Sequence, residues 1–583
     1  MRWLLILVLG AACAPSHQPP VLAQPETSSG FRSVPRSTAK SFMVATANPV
    51  STEIAAEVLR QGGTAMDAAV AAHMALTVVE PQSSGIGGGG FLLYYDAASK
   101  RFHAYDGRET APMGMTPDVF LAGANPMKFM DAVIGGLSVG VPGAVAALER
   151  GHANFGALAW PRLVQPSADL ARNGWRVHPR LANGLKTVPA LKDYAGVDSM
   201  FFDREGNSHE VGTEVSNPAL ALTLDRIAEQ RSKGLLSGET AERILSVVAD
   251  ANRPGRMTQK DMDAYQVVER EARCVAYRGH QVCAFPEPSG SLIAVTMLKL
   301  LERFDLAAMD PLSPRFLHLF AQASELAYAD RDRYYADPAF VDVPVESLLE
   351  PARISDGSAL IREDRRESEP LEMTVVPVER REHPVCVTKP DTAETDQEKP
   401  GTSHISIVDS AGNAVSFTAS VENNFGSQTM AGGFVLNNQL TDFEFQPCDG
   451  GRLKANAPEP GKRPRSSMAP VIVLDSEGQV RLVVGSPGGA AIISYTAQTI
   501  IAVLDWGMNP QDAVALPHLI GRKGVTIIED HPNLDSKTES DLTALGHTVK
   551  RFSLTSGLSV VERVDGGFAG GADPRRDGVA AGD

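Results

Sequence analysis

The stretch KPGTSHISIVDSAGNAVSFTAS, residues 399–420, holds two hydroxyl side chains whose spacing suits acyl-transfer chemistry. The parts SHISIV and AVSFTASV favour strands, and the loop that ends at Gly412 is a common hairpin closure when that glycine is left-handed. Pairing that is symmetric about Ala411 sets Thr402 opposite Ser420, whereas a slip of one residue would separate them. We therefore expect the two hydroxyls to meet at the beginning of a strand.

A threonine hydroxyl is a poor nucleophile unless a base takes its proton, and a free α-amine on the same residue provides that base. Cleavage between Gly401 and Thr402 would create this amine, whose pKa is about 8 in an unperturbed chain. Before cleavage, the Thr402 hydroxyl would attack the Gly401 carbonyl, shift the acyl group from nitrogen to oxygen and let water release it. Gly401 has no side chain to obstruct that turn. On these residues alone, the alternative is that Thr402 and Ser403 merely begin an edge strand.

The elements that must position these residues alternate along the chain, which predicts a mixed α/β fold with a strand-rich C-terminal third. Helices are predicted over residues 51–63, 64–79, 289–304 and 314–338, and strands over 403–408, 414–421, 432–437, 469–474 and 480–485. Thr64 and Asp67 have the spacing of a capping box at the start of the second helix.

Gly85, Gly87 and Gly90 match the dinucleotide-binding fingerprint by letter, within SSGIGGGGFLLYY. A predicted helix precedes them and a predicted strand follows, whereas the fingerprint requires the strand first and the helix after it. This order excludes a nucleotide site there. It predicts close backbone packing, or a loop at which a substrate approaches.

The composition of the 583 residues excludes further classes of protein. The formal net charge is −16 and no basic cluster stands out, which argues against nucleic acid as a partner. The acidity itself is typical of a soluble surface. The 13 histidines show no ligand pattern such as HExxH, and no cysteine spacing suits zinc, so no metal site is predicted.

The N-terminal residues predict an export signal. MRWLLILVLGAAC has one arginine, an apolar run and then small residues up to Cys13, and it is too short to be a mature membrane span. Because the end resembles a bacterial lipobox, residues 1–13 are interpreted as a lipoprotein signal, and a diacylated Cys13 would tether the chain to a membrane surface. Cleavage after Ala23 instead would give a soluble exported protein. Residues 14–37, rich in Pro, Ser and Gln, are interpreted as a flexible spacer.

Four cysteines follow the leader, namely Cys274, Cys283, Cys386 and Cys448, and export makes disulfides possible. CVAYRGHQVC predicts two short strands, so Cys274 and Cys283 would face each other across a hairpin. Two free buried thiols are an equally good interpretation. The charged stretch over about residues 376–401 has little apolar periodicity, and we expect it to be mobile or exposed.

The chain as a whole resembles the γ-glutamyltranspeptidase family over about residues 38–575. The resemblance depends on motifs that follow one another in the family's order: GGTAMDAAVA, EPQSSGIGGGGFLLYY, DGRETAP, SVGVPG, AYADRDRYYADP, GTSHISIVDSAGNAVSFTAS, NNQLTDF, GKRPRSSMAP and GSPGG. Any one motif is weak, and all of them together are highly specific. The resemblance implies an N-terminal-nucleophile hydrolase with a four-layer αββα sandwich, in the α/β (α+β) class.

The resemblance also implies a precursor that cleaves itself before Thr402 of its Thr-Ser-His motif. Residues 38–401 would form the large subunit, with the acidic linker at its C-terminal end, and residues 402–583 the small catalytic subunit of a heterodimer. No cofactor is implied. We expect an exported, periplasmic protein tethered to a membrane by its lipid, or alternatively a soluble periplasmic or secreted one.

Family roles carry over to the positions that match the family's motifs. Arg108 would bind the α-carboxylate of the substrate, because a guanidinium fork suits that group, and Ser466 and Ser467 would donate hydroxyls to the same carboxylate. Gln439 and Asp442 would contact the α-ammonium, with Asp442 supplying the counter-charge. These residues are otherwise ordinary surface or turn residues.

The reaction implied is acyl transfer in two steps. Thr402 would attack the γ-amide of glutathione or another γ-glutamyl compound, and the backbone amides of Gly488 and Gly489 would stabilise the tetrahedral intermediate as an oxyanion hole. The γ-glutamyl ester would then pass to water, an amino acid or a dipeptide.

The chain departs from the family's pattern in several places. Glu422 stands where many members have an asparagine that contacts the substrate ammonium, and a carboxylate there would strengthen ammonium binding or share a proton with Asp442. Ser420 replaces the usual second threonine and keeps its hydroxyl. The stretch PEPSGS departs from the family's form, and the segment between Asp442 and Ser466, which carries the family's lid region, is short.

Two alternatives to the γ-glutamyl enzyme stay open. One is an acylase on the same scaffold that removes a glutaryl group from β-lactam side chains; its substrate lacks the α-ammonium, so Asp442 and Glu422 argue against it. The other is a self-cleaved surface lipoprotein that binds amino acids or peptides without turnover.

Overall fold

The computed structural model describes residues 28–188, 191–192, 200–388 and 400–583. The predicted signal with Cys13, most of the predicted spacer and much of the acidic linker lie outside the described residues. The strands, in chain order, are β1 Ser37–Ala39, β2 Met43–Thr46, β3 Gly89–Asp96, β4 Arg101–Gly107, β5 Leu121–Ala122, β6 Asn125–Pro126, β7 Trp175–Arg176, β8 Glu214–Val215, β9 Val268–Arg270, β10 Arg273–Tyr277, β11 His280–Ala284, β12 Pro400–Val408, β13 Ala414–Asn423, β14 Met430–Ala431, β15 Phe434–Val435, β16 Cys448–Asp449, β17 Arg452–Leu453, β18 Val471–Leu474, β19 Val480–Gly485, β20 Leu519–Arg522, β21 Val525–Glu529, β22 Thr548–Phe552, β23 Ser559–Val564, β24 Gly567–Ala572 and β25 Val579–Gly582.

The helices are α1 Pro49–Arg60, α2 Ala65–Val79, α3 Phe129–Val133, α4 Ala144–Phe155, α5 Trp160–Asn173, α6 Pro179–Thr187, α7 Pro218–Gln230, α8 Lys233–Leu236, α9 Gly238–Asp250, α10 Gln259–Asp263, α11 Ser291–Leu301, α12 Pro314–Tyr334, α13 Val345–Leu348, α14 Pro351–Leu360, α15 Pro384–Thr388, α16 Ile492–Leu504, α17 Pro510–Val514 and α18 Ser536–Ala544. None of the helices in the described part of the chain is long and apolar enough to cross a membrane.

Two seven-stranded sheets stack face to face in the middle of the molecule. One has the order β1-β24-β23-β19-β18-β11-β10, and the other has the order β25-β2-β12-β13-β3-β4-β9. Helices α1, α2, α4 and α5 cover the outer face of the second sheet, and α11, α12 and α16 cover that of the first. A third apolar cluster fills part of the space between the sheets. The layers are therefore helix, sheet, sheet and helix, the predicted αββα sandwich.

Successive side chains of β12 point alternately to the two faces of its sheet. Ile405 and Ile407 belong to the core beneath the helices. Side chains of the opposite parity face the other sheet, because successive residues of a strand point to opposite faces. His404 approaches Gly485 of β19, and the Ser406 hydroxyl donates to the Ser559 carbonyl of β23 at 2.8 Å. Thr402 has the same parity, so its hydroxyl lies between the sheets.

Most of the predicted elements form, with boundaries that differ by a few residues. The capping box at the start of α2 is confirmed, since Thr64 and Asp67 exchange both of its hydrogen bonds. The strand predicted over residues 432–437 is confirmed only for Phe434–Val435, the two residues of β15. Gly432 and Gly433 are left-handed, with φ of 56° and 84°, and form the turn between the two-residue strands β14 and β15.

The glycines before β3 let other backbone segments approach closely, as predicted. A Cβ on Gly88 would lie 2.0 Å from the Ser420 carbonyl oxygen, and a Cβ on Gly87 would lie 2.1 Å from that of Val435. Distances this short exclude any side chain, so the glycine run is a packing feature at the edge of the predicted site.

Two disulfides are present in the described part of the chain. Cys274 and Cys283 are directly opposite each other in the β10–β11 hairpin and are bonded, which decides between the two interpretations of that pair. Cys386 is bonded to Cys448, a pairing that the spacing of the cysteines does not indicate.

Candidate active site

The β12–β13 hairpin has the predicted register. Val408 pairs with Ala414 at the loop, and Thr402 pairs with Ser420 at the far end. Gly412 is left-handed, with φ of 85°, as the predicted loop requires. The pairing therefore sets the two hydroxyls across from each other, as expected.

These hydroxyls form a short chain of hydrogen bonds that ends on the Gly401 carbonyl. The Thr402 hydroxyl donates to Ser420 Oγ at 3.1 Å, and the Ser420 hydroxyl donates to the Gly401 carbonyl oxygen at 2.8 Å. Ser420 Oγ also accepts from the Glu422 amide at 2.8 Å. One donor and two acceptor positions are all that a hydroxyl has, so Ser420 is fully engaged.

A β-bulge directly follows this pair. Thr402 is opposite Ser420 but Gly401 is opposite Glu422, so Val421 is an extra residue in β13. The Val421 amide donates to the Ser83 carbonyl and its carbonyl accepts from the Asn438 amide, both at 3.1 Å. The bulge thereby connects the β12–β13 hairpin to Asn438, the residue before the short 3₁₀ helix Gln439–Asp442.

Glu422 itself adopts a left-handed conformation, with φ of 77°. Among side-chain-bearing residues, asparagine tolerates this region far better than glutamate does. The Glu422 carboxylate accepts a hydrogen bond from the Asn438 side-chain amide, which also donates to Thr441 Oγ1 at 2.9 Å. Glu422 thus sits beside the hydroxyl pair with its carboxylate already engaged by one donor.

A small cavity brings most of the predicted site residues together. Its lining contains Thr402, Ser420, Glu422, Gln439, Asp442, Ser466, Ser467 and Gly489, together with Met468 and Ile492. Residues from β12, β13, the 3₁₀ helix and the start of α16 therefore converge on one point, although they are far apart in the sequence. Arg108 and Gly488 stand outside this lining, each next to one of its members.

Arg108 lies behind Asp442 and is fully buried. Its guanidinium pairs with the Asp442 carboxylate and donates to the carbonyl oxygens of Pro464 at 3.1 Å and Arg465 at 2.9 Å. Among the described residues, Nη1 of Arg108 has no hydrogen-bond partner, and it lies 3.7 Å from a carboxylate oxygen of Glu109. The guanidinium is therefore rigidly held, with one nitrogen still able to donate.

Asp442 is positioned by residues on both sides of it. The Gln439 side-chain amide donates to its carboxylate at 3.3 Å, and the Asn456 side chain donates to its main-chain carbonyl at 2.7 Å. Asn456 Oδ1 in turn accepts from the Arg465 amide at 2.8 Å. Asn456 thus holds together the segments that carry the Arg108–Asp442 pair.

The remaining predicted residues lie on two further segments that line or adjoin the cavity. Ser466 Oγ accepts from the Met468 amide at 3.1 Å, and Ser467 Oγ accepts from Arg331 Nη2 at 2.6 Å. Gly488 and Gly489 both have positive φ, 130° and 58°, at the start of the helical turn that leads into α16.

Several residues near the site were missed by sequence reasoning. Arg576 is buried, and its Nη1 donates to the Thr402 carbonyl oxygen at 3.1 Å. Asn438 orients Glu422, and Asn456 orients Asp442. The motifs that contain Asn438 and Arg331 were recognised, but a motif alone does not reveal which of its polar residues face the site.

Two buried groups beside the site have strongly shifted pKa values. Burial lowers the pKa of His404 to about 3, so it is neutral; its Nδ1 pairs with Thr418 Oγ1 at 2.8 Å and its Nε2 with Ser406 Oγ at 3.0 Å. Burial raises the pKa of Glu109 to about 8, against the opposing effect of Arg108. His404 is therefore a neutral, hydrogen-bonded side chain packed between the two sheets.

Within the described ranges, no group of three or more His, Cys, Asp and Glu side chains is arranged to hold a metal ion. The polar groups that converge on the cavity are hydroxyls, one amide and two carboxylates, with a guanidinium behind them. This set suits an amino-acid-like ligand and an acyl group.

Comparison with solved structures identifies the class of fold to which this protein belongs. The crystal structure of a cephalosporin acylase from Bacillus halodurans superposes with a TM-score of 0.78 at 25% identity, over 98% of this chain and 99% of that one. The αββα sandwich, with a threonine at the beginning of an inner strand, is the fold of the N-terminal-nucleophile hydrolases, so the predicted fold class is confirmed.

The family follows from the sequence comparisons. A family model described as gamma-glutamyltranspeptidase matches residues 51–583. The glutathione hydrolase proenzyme of Bacillus subtilis strain 168 is 35% identical over 550 residues, which cover 93% of this chain and 92% of that protein. The acylase ACY 1 proenzyme of Pseudomonas sp. strain V22 is 31% identical over 549 residues, 92% of each chain. The chain belongs to the γ-glutamyltranspeptidase family of enzymes, as the motifs predicted.

Proposed function

We propose that the protein cleaves itself before Thr402 and then transfers γ-glutamyl groups from glutathione or related amides to water, amino acids or dipeptides. The observation that carries this proposal is the pair of hydrogen bonds from Thr402 to Ser420 and from Ser420 to the Gly401 carbonyl. The arrangement places a hydroxyl donor on the carbonyl that the neighbouring hydroxyl would attack.

The cleavage would proceed as an acyl shift followed by hydrolysis. Thr402 Oγ1 attacks the Gly401 carbonyl carbon, its proton passes toward Ser420, and the Ser420 hydroxyl stabilises the charge that develops on the carbonyl oxygen. The carbon–nitrogen bond then breaks, and the Thr402 nitrogen takes up the proton, which leaves an ester on Oγ1. Water hydrolyses this ester to the Gly401 carboxylate, a free Thr402 hydroxyl and a free Thr402 amine.

In the mature enzyme the new amine would act as the base for the Thr402 hydroxyl. A γ-glutamyl group carries an α-carboxylate and an α-ammonium at its far end, and Arg108 and Asp442 are the matching pair of opposite charges. The substrate carboxylate would take up the free donor of Arg108 with help from Ser466 and Ser467, and the ammonium would bind to Asp442, Gln439 and Glu422.

The γ-glutamyl group is then transferred by way of an ester on Thr402. Thr402 would form a γ-glutamyl ester while the backbone amides of Gly488 and Gly489 stabilise the tetrahedral intermediate. The departing amine takes up the proton that the Thr402 amine had accepted and leaves the site. Water or a second amine then attacks the ester, gives up a proton and frees the Thr402 hydroxyl. The name of the Bacillus subtilis relative, a glutathione hydrolase proenzyme, supports both the precursor and the substrate class.

A second candidate is a glutaryl-type acylase on the same site. It is favoured by the similarity over nearly the whole chain to a cephalosporin acylase and by the acylase relative from Pseudomonas. Against it stand two carboxylates, Glu422 and Asp442, on the cavity wall, because a glutaryl group has no ammonium for them to bind.

The test compares p-nitroaniline release from γ-glutamyl- and glutaryl-p-nitroanilide, with and without glycylglycine, after the protein has been shown to consist of two chains. We expect a strong preference for the γ-glutamyl compound, with glycylglycine increasing release if transfer competes with hydrolysis. Preference for the glutaryl compound would favour the acylase. Release from neither compound by a cleaved protein would favour a binding protein without turnover.

Two variants serve as controls for this assay. Thr402→Ala should abolish both cleavage and release, whereas Ser403→Ala should retain both, because Ser403 has the opposite parity and faces the helices. Two chains from the Thr402→Ala variant would contradict the proposed cleavage site.

A further inference from the structure

The disulfide between Cys386 and Cys448 spans the proposed cleavage site. The two residues are 62 positions apart with Cα atoms 5.5 Å from each other, and the Gly401–Thr402 bond lies between them in the chain. The other disulfide, Cys274–Cys283, lies entirely before that bond. Cleavage would therefore leave one disulfide within the first chain and turn the other into a link between two chains.

We propose that Cys386–Cys448 is an interchain disulfide that joins the two mature chains covalently and anchors the first chain beside the substrate site. The proposal rests on the cleavage proposed above. It adds a covalent modification site to the mature protein, formed by one cysteine from each chain.

The contacts around the disulfide show that the two segments are already docked. Cys386 and Cys448 are buried in a small apolar cluster with Leu453 and Ala457. The Leu453 amide of β17 donates to the Arg381 carbonyl oxygen at 3.1 Å. The two cysteines are therefore held together by apolar packing and a nearby backbone hydrogen bond as well as by the disulfide.

Neighbouring residues extend this contact with charges of opposite sign. Glu382 forms a β-bridge with Arg452, and Arg380 pairs with Asp449 at 3.0 Å. Exposed ion pairs such as Arg380–Asp449 contribute little to stability alone. The disulfide adds a covalent link to this packing and hydrogen bonding, and that link would persist after the first chain ends at Gly401.

The β16–β17 hairpin connects the disulfide to the substrate site. Asn456 follows this hairpin in the chain. Its side-chain nitrogen donates to the Asp442 main-chain carbonyl, and its side-chain oxygen accepts from the Arg465 main-chain amide. The Arg465 carbonyl in turn accepts from Arg108. From Asn456, one hydrogen bond therefore reaches Asp442, and two hydrogen bonds through Arg465 reach Arg108.

The anchor is needed because cleavage creates a new chain end. Chain termini fray unless they are tied down. A cross-link keeps the segment around Cys386 at a high effective concentration beside β16, so the hairpin stays packed. Cys386 and Cys448 act here as positioning residues for Asp442, and neither touches the reacting atoms.

Formation of the bond requires an external disulfide as oxidant. The thiolate of one cysteine attacks the disulfide of a thiol oxidoreductase or of oxidised glutathione, which forms a mixed disulfide and releases one thiol. The second thiolate then attacks the protein sulfur of that mixed disulfide and releases the other thiol. Two electrons pass to the donor disulfide, and its two sulfurs leave as thiols. An oxidising compartment favours this exchange, and the predicted export signal would take the chain to one.

The test is electrophoresis of the purified wild-type protein after free thiols have been blocked by alkylation, with and without reductant. We expect one band at the mass of both chains without reductant and two bands with it. Cys386→Ser and Cys448→Ser should each give two bands in both lanes, whereas Cys274→Ser, which removes the disulfide within the first chain, should behave as the wild type does.

The possible outcomes separate this proposal from the cleavage on which it rests. Two wild-type bands without reductant would overturn the interchain disulfide while leaving the cleavage intact. One wild-type band in both lanes, like that expected of Thr402→Ala, would show that there is no cleavage, and the proposal would fail with it. Because the wild type alone decides this, a variant that fails to fold does not obscure the result.

The anchoring role has a kinetic readout. We expect Cys386→Ser and Cys448→Ser each to raise the KM for γ-glutamyl-p-nitroanilide several-fold while kcat changes less than twofold, and the double variant to match either single one. Cys274→Ser should leave both constants unchanged. A KM equal to that of the wild type in both variants would overturn the anchoring of the substrate site.

Discussion

The Ser420 hydroxyl donates a hydrogen bond of 2.8 Å to the Gly401 carbonyl oxygen and at the same time accepts one of 3.1 Å from the Thr402 hydroxyl. The attacking oxygen, the supporting hydroxyl and the carbonyl that would be attacked are thus connected before any bond is broken. The bulge at Val421 directly follows this pair, and the Glu422 amide beyond it is a further donor to Ser420 Oγ.

Ser420→Ala should slow cleavage of the precursor by about 100-fold, since removing one donor to a developing oxyanion costs a reaction roughly that factor. The measurement is the rate at which two chains appear from freshly purified precursor. Ser420→Thr keeps the hydroxyl and should restore most of the rate. Equal rates for the alanine variant and the wild type would remove Ser420 from the cleavage reaction.

Gly401→Ala should slow cleavage by about tenfold or more, because overpacking against backbone atoms costs about 1–3 kcal/mol. A Cβ there would lie 2.5 Å from the Asn423 carbonyl oxygen and 2.7 Å from that of Gln82. The Gly401–Thr402 peptide would have to shift to relieve these contacts, which would disturb its hydrogen bond from Ser420. The control is Gly184→Ala in α6, where the nearest atoms lie 3.5 Å from the added Cβ. Normal cleavage of Gly401→Ala would contradict the close fit of the scissile peptide.

Arg108→Ala should raise the KM for γ-glutamyl substrates by about 10- to 100-fold, the range expected when a hydrogen bond to a charged group of about 1.5–3 kcal/mol is lost. Cleavage of the precursor should slow far less, because Arg108 contacts Asp442 rather than the scissile bond. Arg108→Lys keeps the positive charge without the planar fork, so its KM should lie between those of the wild type and the alanine variant. Unchanged kinetics in both variants would exclude Arg108 from substrate binding.

Glu422→Gln should lower the preference for γ-glutamyl- over glutaryl-p-nitroanilide by about tenfold, which corresponds to roughly 1.4 kcal/mol. The change removes a negative charge beside the proposed ammonium site and leaves the backbone at φ of 77° with a side chain of the same shape. The measurement is the ratio of the two kcat/KM values. A ratio that rises instead would mean that Glu422 repels the γ-glutamyl group.

Acid should destabilise the folded protein through His404, whose pKa falls from an ordinary 6.5 to about 3 on burial. Because the unfolded chain takes up the proton first, the stability from neutral His404 is complete above pH 6.5 and is lost as the pH falls toward 3, by at most about 1.4 kcal/mol per unit. His73 and His547, with pKa values lowered to about 4 and 3, act in the same direction.

The measurement for this effect is the apparent unfolding temperature at pH 7 and pH 5. The wild type should unfold at a lower temperature at pH 5, and His404→Gln, which cannot take up a proton, should show a smaller difference between the two. A difference as large as that of the wild type would mean that His404 does not contribute.

Local patterns predicted the parts of the structure that depend on neighbours in the sequence. The strand alternation and the Gly412 loop set the register of the hairpin, so the Thr402–Ser420 pair was predictable. The capping box of α2 and the packing role of the glycines before β3 were predictable for the same reason. The strand predicted over residues 432–437 forms only at Phe434–Val435, because the left-handed pair Gly432 and Gly433 makes a turn directly before it.

The site as a whole depended on motif order rather than on local pattern. The resemblance brought together Arg108, Gln439, Asp442, Ser466 and Gly489, and the fold places most of these on one cavity. It did not predict that Arg108 and Asp442 pair with each other, because two charged side chains more than 300 positions apart leave no trace of their contact in either motif.

By itself, the sequence determined the family, the layered α/β class and the hydroxyl pair at the proposed cleavage site, because these follow from short-range periodicity and from motifs. Only the tertiary structure decided that Cys386 bonds to Cys448, that Arg576 donates to the Thr402 carbonyl and that Asn456 holds Asp442 in place. Those contacts form between segments that are distant in the sequence and come together only when the two sheets and their helices pack. The spacing of residues along the chain does not indicate which of these segments will be in contact.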